Sequence, residues 1–158
     1  MTLTRFRTEG VVLALAILVI DQLAKFIVAG PLALSSRLQI EITPFFNLTW
    51  AENRGVSMGF LTAETETARW MLVVLTGIIA TIVLLWMFKE RARGDILALG
   101  MILGGALGNI IDRARLGYVV DYADLHFGAF RPFMIFNIAD AAITIGVLLL
   151  LARVLIIG

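Results

Sequence analysis

Asp121 closes the run Tyr118-Val119-Val120-Asp121, and Asp140 closes the run Phe136-Asn137-Ile138-Ala139-Asp140 just before an apolar stretch. Both fall at or near membrane depth in a chain that is 60% hydrophobic. A charged carboxylate in a bilayer costs roughly 2.5–3.5 kcal/mol on insertion scales, so such groups face a partner, a water-filled cavity or a site. Two carboxylates that share a site can hold one proton between them. One then takes a proton from water while the other, protonated, donates to the oxygen of the bond under attack. The pair therefore predicts hydrolytic chemistry by a carboxylate dyad, without a metal or a nucleophilic side chain.

Other polar residues have spacings that bring them to the same place. Asn109, Asp112 and Arg113 fall at i, i+3 and i+4 and share a helix face, as do Asn137 and Asp140 at i and i+3. Gly104 and Gly108 form a small-xxx-small pair with Gly105 beside it, which lets a second helix approach closely. Asparagines add hydrogen bonds to such a site without adding charge. Each residue also has a plainer reading. Asp112–Arg113 reads equally as an ion pair at a span end, Asn109 and Asn137 as links between helices, and Asp140 as a favourable charge at a helix N-terminus. Asp124, three residues past Asp121, is expected to be solvated. Asp21 and Lys25 are spaced for an intrahelical ion pair near the interface, with a structural role. His126 reads as a surface loop residue, and Trp50, Trp70 and Trp86 as interfacial anchors. Glu52-Asn53-Arg54-Gly55 reads as a hairpin loop after a strand; alternatively, it reaches over the site and contacts a substrate backbone through Asn53 and Arg54.

The elements that must position these groups follow from composition. The chain has 158 residues, one His and no Cys, and its mean hydropathy is +0.95. A soluble domain of this size could not bury so much apolar surface. The lack of Cys excludes disulfides, a thiol nucleophile and thiolate metal sites, and His126 stands outside any HExxH motif. No G-x-S-x-G occurs. A net charge of +1 gives no footing for nucleic acid. No metal or cofactor is expected.

The pattern predicts a mainly α membrane protein: a single integral membrane domain over 1–158, with spans at about 10–29, 70–88, 96–113 and 137–157. The intervening segments, about 30–67 and 114–136, lie together on one side. In the first of them Leu38–Ile42 and Phe46–Trp50 alternate with period two, which predicts a small antiparallel sheet on the membrane surface. Tyr118–Asp121 is expected to be extended. Asp21 and Lys25 interrupt the first apolar run, so a cleaved leader is not expected. Lys89, Arg91 and Arg93 crowd one short turn, and by the positive-inside rule this favours termini in the cytoplasm.

Five blocks together resemble the lipoprotein signal peptidases (bacterial signal peptidase II). They are Asp21-Gln22-Leu23-Ala24-Lys25, Asn53-Arg54-Gly55, the run from Gly104 through Gly105, Gly108, Asn109 and Asp112 to Arg113, Val119-Val120-Asp121, and Phe136-Asn137-Ile138-Ala139-Asp140. They appear in the family's order and cover essentially the whole chain. The resemblance implies a four-span aspartyl endopeptidase of the bacterial inner membrane, with both termini cytoplasmic, a small periplasmic β-cradle and a periplasmic loop over the site. It implies cleavage of diacylglyceryl-modified prolipoproteins just before the lipidated lipobox Cys. Catalysis falls to Asp121 and Asp140. Asn53, Arg54, Gly55, Gly108, Asn109, Asp112, Arg113, Asn137 and Ala139 match positions that face or support the substrate, and Asp21 with Lys25 match a structural pair. Membrane lipids and globomycin-type peptide inhibitors are the other implied partners, and a monomer is the simplest assembly. The chain departs from many members at Val56-Ser57-Met58-Gly59-Phe60, which follows Asn53-Arg54-Gly55, and in the extra acid Asp124.

Two other readings fit the acids alone. In one, a small proton or ion channel subunit uses Asp121 and Asp140 as a relay. In the other, a structural membrane chaperone pairs its acids with Arg113 and Arg115.

Overall fold

The computed structural model describes residues 2–56, 61–62 and 65–157. Four long helices dominate: α1 (Leu3–Ala29), α3 (Glu66–Lys89), α4 (Arg93–Leu116) and α5 (Ile138–Ile157). All four are long and apolar enough to cross a membrane. The first three outrun the expected spans at charged ends, at Arg5 and Arg7, Glu66 and Arg69, and Arg93 and Arg115. Hydropathy marks only the apolar window, whereas helical hydrogen bonding continues into the interface, where long charged side chains reach water. The Thr65 hydroxyl caps α3 by accepting from the Ala68 N–H at 3.2 Å. α4 stops at Gly117, whose φ of +85° ends the helix in a left-handed turn.

α4 is the central helix and packs against α1, α3 and α5. Its glycines make this possible. A Cβ on Gly104 would collide with the carbonyl oxygen of Ala14 in α1, and one on Gly105 with the carbonyl oxygen of Ala139 in α5. The small-residue stripe thus packs on two sides, Gly104 and Gly108 toward α1 and Gly105 toward α5. Ala14, Ala80, Met87, Ile96, Leu99 and Leu103 form the bundle core. Val12, Ile78, Ile82 and Leu148 point outward, as expected where hydrocarbon is the solvent.

A three-stranded antiparallel sheet closes one end of the bundle, in the order β1 (Gln39–Thr43), β2 (Phe46–Asn53), β5 (Val119–Leu125). A short helix, α2 (Leu34–Arg37), leads into it, and β3 (Gly55–Val56) pairs with β4 (Leu61–Thr62) beside it. β2 runs past the expected strand to Asn53, so Glu52 and Asn53 belong to the strand and the turn starts at Arg54. The extended piece expected at Tyr118–Asp121 is the third strand. Six consecutive residues of β5 are buried, so it lacks the alternation that marks a half-exposed strand. Of the departing run after Gly55, residues 57–60 lie outside the described residues. Val28, Leu34, Val120, Tyr122 and Ala123 pack the sheet onto the end of α1.

Candidate active site

β5 delivers Asp121 and the first turn of α5 delivers Asp140, and Asn137 touches both. Its amide Nδ2 donates to Asp121 Oδ1 at 2.7 Å, while its backbone N–H donates to Asp140 Oδ2 at 3.3 Å. In return the Asp140 N–H donates to Asn137 Oδ1 at 2.8 Å. This Asn-x-x-Asp exchange is the capping-box arrangement, so the spacing that shapes the start of α5 also orients its acid. Asn53 Nδ2 donates to the other Asp121 oxygen at 3.2 Å, and Asn109 Nδ2 donates to Asp140 Oδ1 at 2.9 Å. Asn137 Nδ2 also reaches Asn109 Oδ1 at 3.2 Å. Three asparagines from β2, α4 and the α5 entry therefore fix two carboxylates without neutralising either.

Asp121 is only 3% exposed. Burial, then the nearby Asp140 charge, push its pKa from 3.8 up to about 7, against the opposing hydrogen bonds of Asn53 and Asn137. The acids expected to pair with Arg113 and Arg115 in a structural chaperone make no such ion pair among the described residues.

Beneath these groups lies a buried ionic layer. Lys25 Nζ stands 2.8 Å from Asp21 Oδ2 and 2.8 Å from Asp112 Oδ2, and donates to Asn109 Oδ1 at 3.2 Å. Asp21 Oδ1 accepts the Ala139 N–H at 3.0 Å, and Asp112 Oδ2 accepts the Val120 N–H at 3.1 Å. Gln22 donates to Asp112 Oδ1 at 2.9 Å and to the Gly108 carbonyl at 3.2 Å. One layer thereby ties α1 and α4 to the backbone that carries both candidate acids. Gly108 and Ala139 are buried within it, where α1, α4 and α5 meet.

Three expectations need correction. Asp112 pairs with Lys25 and not with Arg113, because adjacent residues on a helix diverge by about 100° and cannot face each other. The Arg113 Nε is buried and finds no partner among the described residues. The Asp21–Lys25 pair exists but is buried rather than interfacial. Asp124 is not solvated: it is 1% exposed, and Arg131 Nε at 3.0 Å and Thr49 Oγ1 at 3.1 Å donate to it. Arg54 pairs with Glu52 at 2.6 Å and lies 5.3 Å over the Tyr118 ring, and the Gly55 N–H donates to Asn53 Oδ1 at 3.1 Å. That bond fixes the amide that holds Asp121. His126 is half-buried, with its Nε2 sealed from solvent. Sequence reasoning missed Arg69 of α3, whose Nε donates to the Arg113 carbonyl at 2.8 Å. No local pattern marks a contact across 44 residues.

The four helices and the paired acids at the sheet end of the bundle, Asp121 buried and Asp140 half-buried, define a polytopic membrane protein with a carboxylate site. A family profile described as signal peptidase (SPase) II matches residues 13–156. The lipoprotein signal peptidase of Sphingopyxis alaskensis is 60% identical over 94% of this chain and 86% of its own. That of Rhizorhabdus wittichii is 53% identical over 96% of this chain and 88% of its own. A bacterial membrane enzyme solved by the in meso method at 1.9 Å resolution superposes with a TM-score of 0.79 at 29% identity, covering 96% of this chain and 95% of that one. The chain belongs to the signal peptidase II family of aspartic membrane peptidases.

Proposed function

We propose that this enzyme removes signal peptides from diacylglyceryl-modified prolipoproteins, cutting just before the lipidated lipobox Cys, with Asp121 and Asp140 as its catalytic dyad. The observation that carries the assignment is Asn137, which bonds both carboxylates and leaves them in one neighbourhood. The relatives' name, lipoprotein signal peptidase, supports the substrate class.

With its carboxyl pushed up to about 7, Asp121 is still partly protonated near neutral pH, where a free aspartate has lost its proton, which lets the pair share one proton. One aspartate, ionised, takes a proton from water as it attacks the scissile carbonyl. The other, protonated, donates to the carbonyl oxygen and later helps the amine leave. The pair titrates as a unit, so acid and base are roles of the dyad rather than of fixed residues. Asn53, Asn109 and Asn137 hold the carboxylates in register, Arg113 with Arg54 and Gly55 meets the substrate backbone, and Asp112, Gly108 and Ala139 support them.

The chain is a multi-pass protein of the bacterial inner membrane, forms one integral domain and acts as a monomer. Its termini are cytoplasmic, and the site lies at the sheet end, near the periplasmic face. The signal helix enters laterally while its diacylglyceryl chains stay in the bilayer, and globomycin-type peptides compete for the same space.

The test is cleavage by purified enzyme of a prolipoprotein with and without diacylglyceryl modification. Cleavage of the modified form alone, blocked by globomycin, is expected. Equal cleavage of both forms, or of neither, overturns the substrate assignment.

A further inference from the structure

The end of the bundle opposite the sheet carries an unassigned groove. Thr4, Arg7, Thr8, Val11 and Val12 of α1 line it, with Phe88 of α3 across from them; it is open to the outside and has a volume of about 370 Å³. On α1 these positions fall at i, i+3, i+4, i+7 and i+8, a single helix face. Polarity changes along that face. Thr4, Arg7 and Thr8 lie at the bundle end, and Val11 and Val12 lie deeper along the span.

Charge at this end is distributed unevenly. Six bases (Arg5, Arg7, Lys89, Arg91, Arg93 and Arg153) face three acids (Glu9, Glu90 and Asp95). Glu9 takes Arg5 at 3.2 Å and Arg93 at 2.6 Å, and Asp95 takes Arg153 at 3.2 Å. Glu90 is turned to the backbone N–H groups of Arg91 and Ala92. Arg7 has no carboxylate among the described residues, and its Nε is sealed from solvent without a hydrogen-bond partner there. Thr8 donates to the Thr4 carbonyl at 3.0 Å, so Arg7 and the Thr4 hydroxyl are the donors left in the groove.

We infer that this groove binds one anionic glycerophospholipid, with the headgroup phosphate on Arg7 and Thr4 and an acyl chain along Val11, Val12 and Phe88. The order of polarity along α1 is that of a lipid read from phosphate to hydrocarbon. A guanidinium presents paired donors that suit a phosphate, and an anion there meets a cation that no protein carboxylate neutralises. Basic residues beside a span attract anionic lipid in general. The groove adds a place for one chain and singles out Arg7: Lys89 and Arg91 also make no ion pair among the described residues, but Arg7 is the base that lines the groove.

Native mass spectrometry of the full chain in detergent tests this, with phosphatidylglycerol and phosphatidylcholine titrated separately. The wild type is expected to hold one phosphatidylglycerol in preference to phosphatidylcholine. Arg7→Gln is expected to weaken that binding about fivefold, the scale of one basic residue at an anionic surface. Val12→Trp keeps the charge but fills the groove, and is expected to weaken it as well. Arg5→Gln, at an exposed residue already paired with Glu9, is expected to bind as the wild type does. Retained cleavage activity in each variant shows that it is folded. Unchanged binding by Arg7→Gln, equal loss in Arg5→Gln, or no preference for the anionic lipid in the wild type would overturn the proposal.

Discussion

The carboxylate of Asp21 in α1 accepts the backbone N–H of Ala139 in α5 at 3.0 Å, across 118 residues of sequence. The same carboxylate holds Lys25, and Lys25 holds Asp112. The first span therefore fixes the first turn of the last one, where Asp140 stands. Breaking a buried ion pair by removing one partner costs about 3–5 kcal/mol, because a charge is left alone in a dry interior. Lys25→Met is accordingly expected to destabilise the protein by about 3 kcal/mol or more and to lose activity through misplacement of α5. Urea unfolding in detergent micelles, read beside cleavage rate, checks both effects; an unchanged midpoint would leave the layer without a structural role.

Helix contact at Gly105 leads to a second expectation. A side chain there meets the Ala139 carbonyl and the Ile143 side chain, so Gly105→Val should force α4 and α5 apart and abolish cleavage. Gly77 in α3 has nothing within 4 Å of its missing Cβ. Gly77→Ala should therefore be neutral or stabilising by up to about 1 kcal/mol. Thermal unfolding of the two variants side by side separates contact from composition.

The raised Asp121 carboxyl makes stability depend on pH. Between about 3.8 and 7 the folded chain holds a proton there that the unfolded chain has lost. Raising the pH through that window therefore lowers stability, and the full penalty, on the order of 4 kcal/mol, applies above pH 7. Asp121→Asn removes the ionisation, so its unfolding midpoint should vary less with pH and exceed that of the wild type at pH 8. In the wild type, cleavage should fall on the alkaline side of about pH 7 as the shared proton is lost. Equal pH slopes for the two proteins would contradict the assigned shift.

Asp124 and Arg131 hold the loop that joins the two halves of the site. The Ala123–Phe136 bridge ties the loop's ends, and the ion pair ties its middle to β5. Arg131→Ala leaves a carboxylate that is 1% exposed without its cation, so it should cost more stability than Asp124→Asn. The expected difference is about 1–2 kcal/mol, and the double variant Asp124→Asn with Arg131→Ala should recover part of it. Chemical denaturation of the three variants is the check, and a double variant no more stable than Arg131→Ala would contradict this ordering.

Local pattern carries the spans, the two alternating strands and the i, i+3 relation of Asn109 and Asp112, which both meet Lys25. Hydrophobic runs and helical spacing are local properties, and the physics that reads them is local too. The choice of partners was not local. Asp112 meets Lys25 because glycines bring α1 and α4 into contact, and spacing within α4 suggested Arg113 instead. Nothing local to Asp124 marks it as buried, because β2 and the 126–136 loop that cover it come from elsewhere in the chain. Asn53 was read at a loop, yet strand β2 extends far enough to aim it at Asp121.

The central claim is that Asp121 and Asp140 together perform the hydrolysis. The most direct measurement is the single-turnover rate on a diacylglyceryl-modified prolipoprotein for wild type, Asp121→Asn, Asp140→Asn and Asp124→Asn, each confirmed folded by thermal unfolding. The account predicts a loss of at least about a thousandfold in each of the first two variants and near wild-type cleavage in the third. Substantial cleavage by folded Asp121→Asn or Asp140→Asn would contradict it.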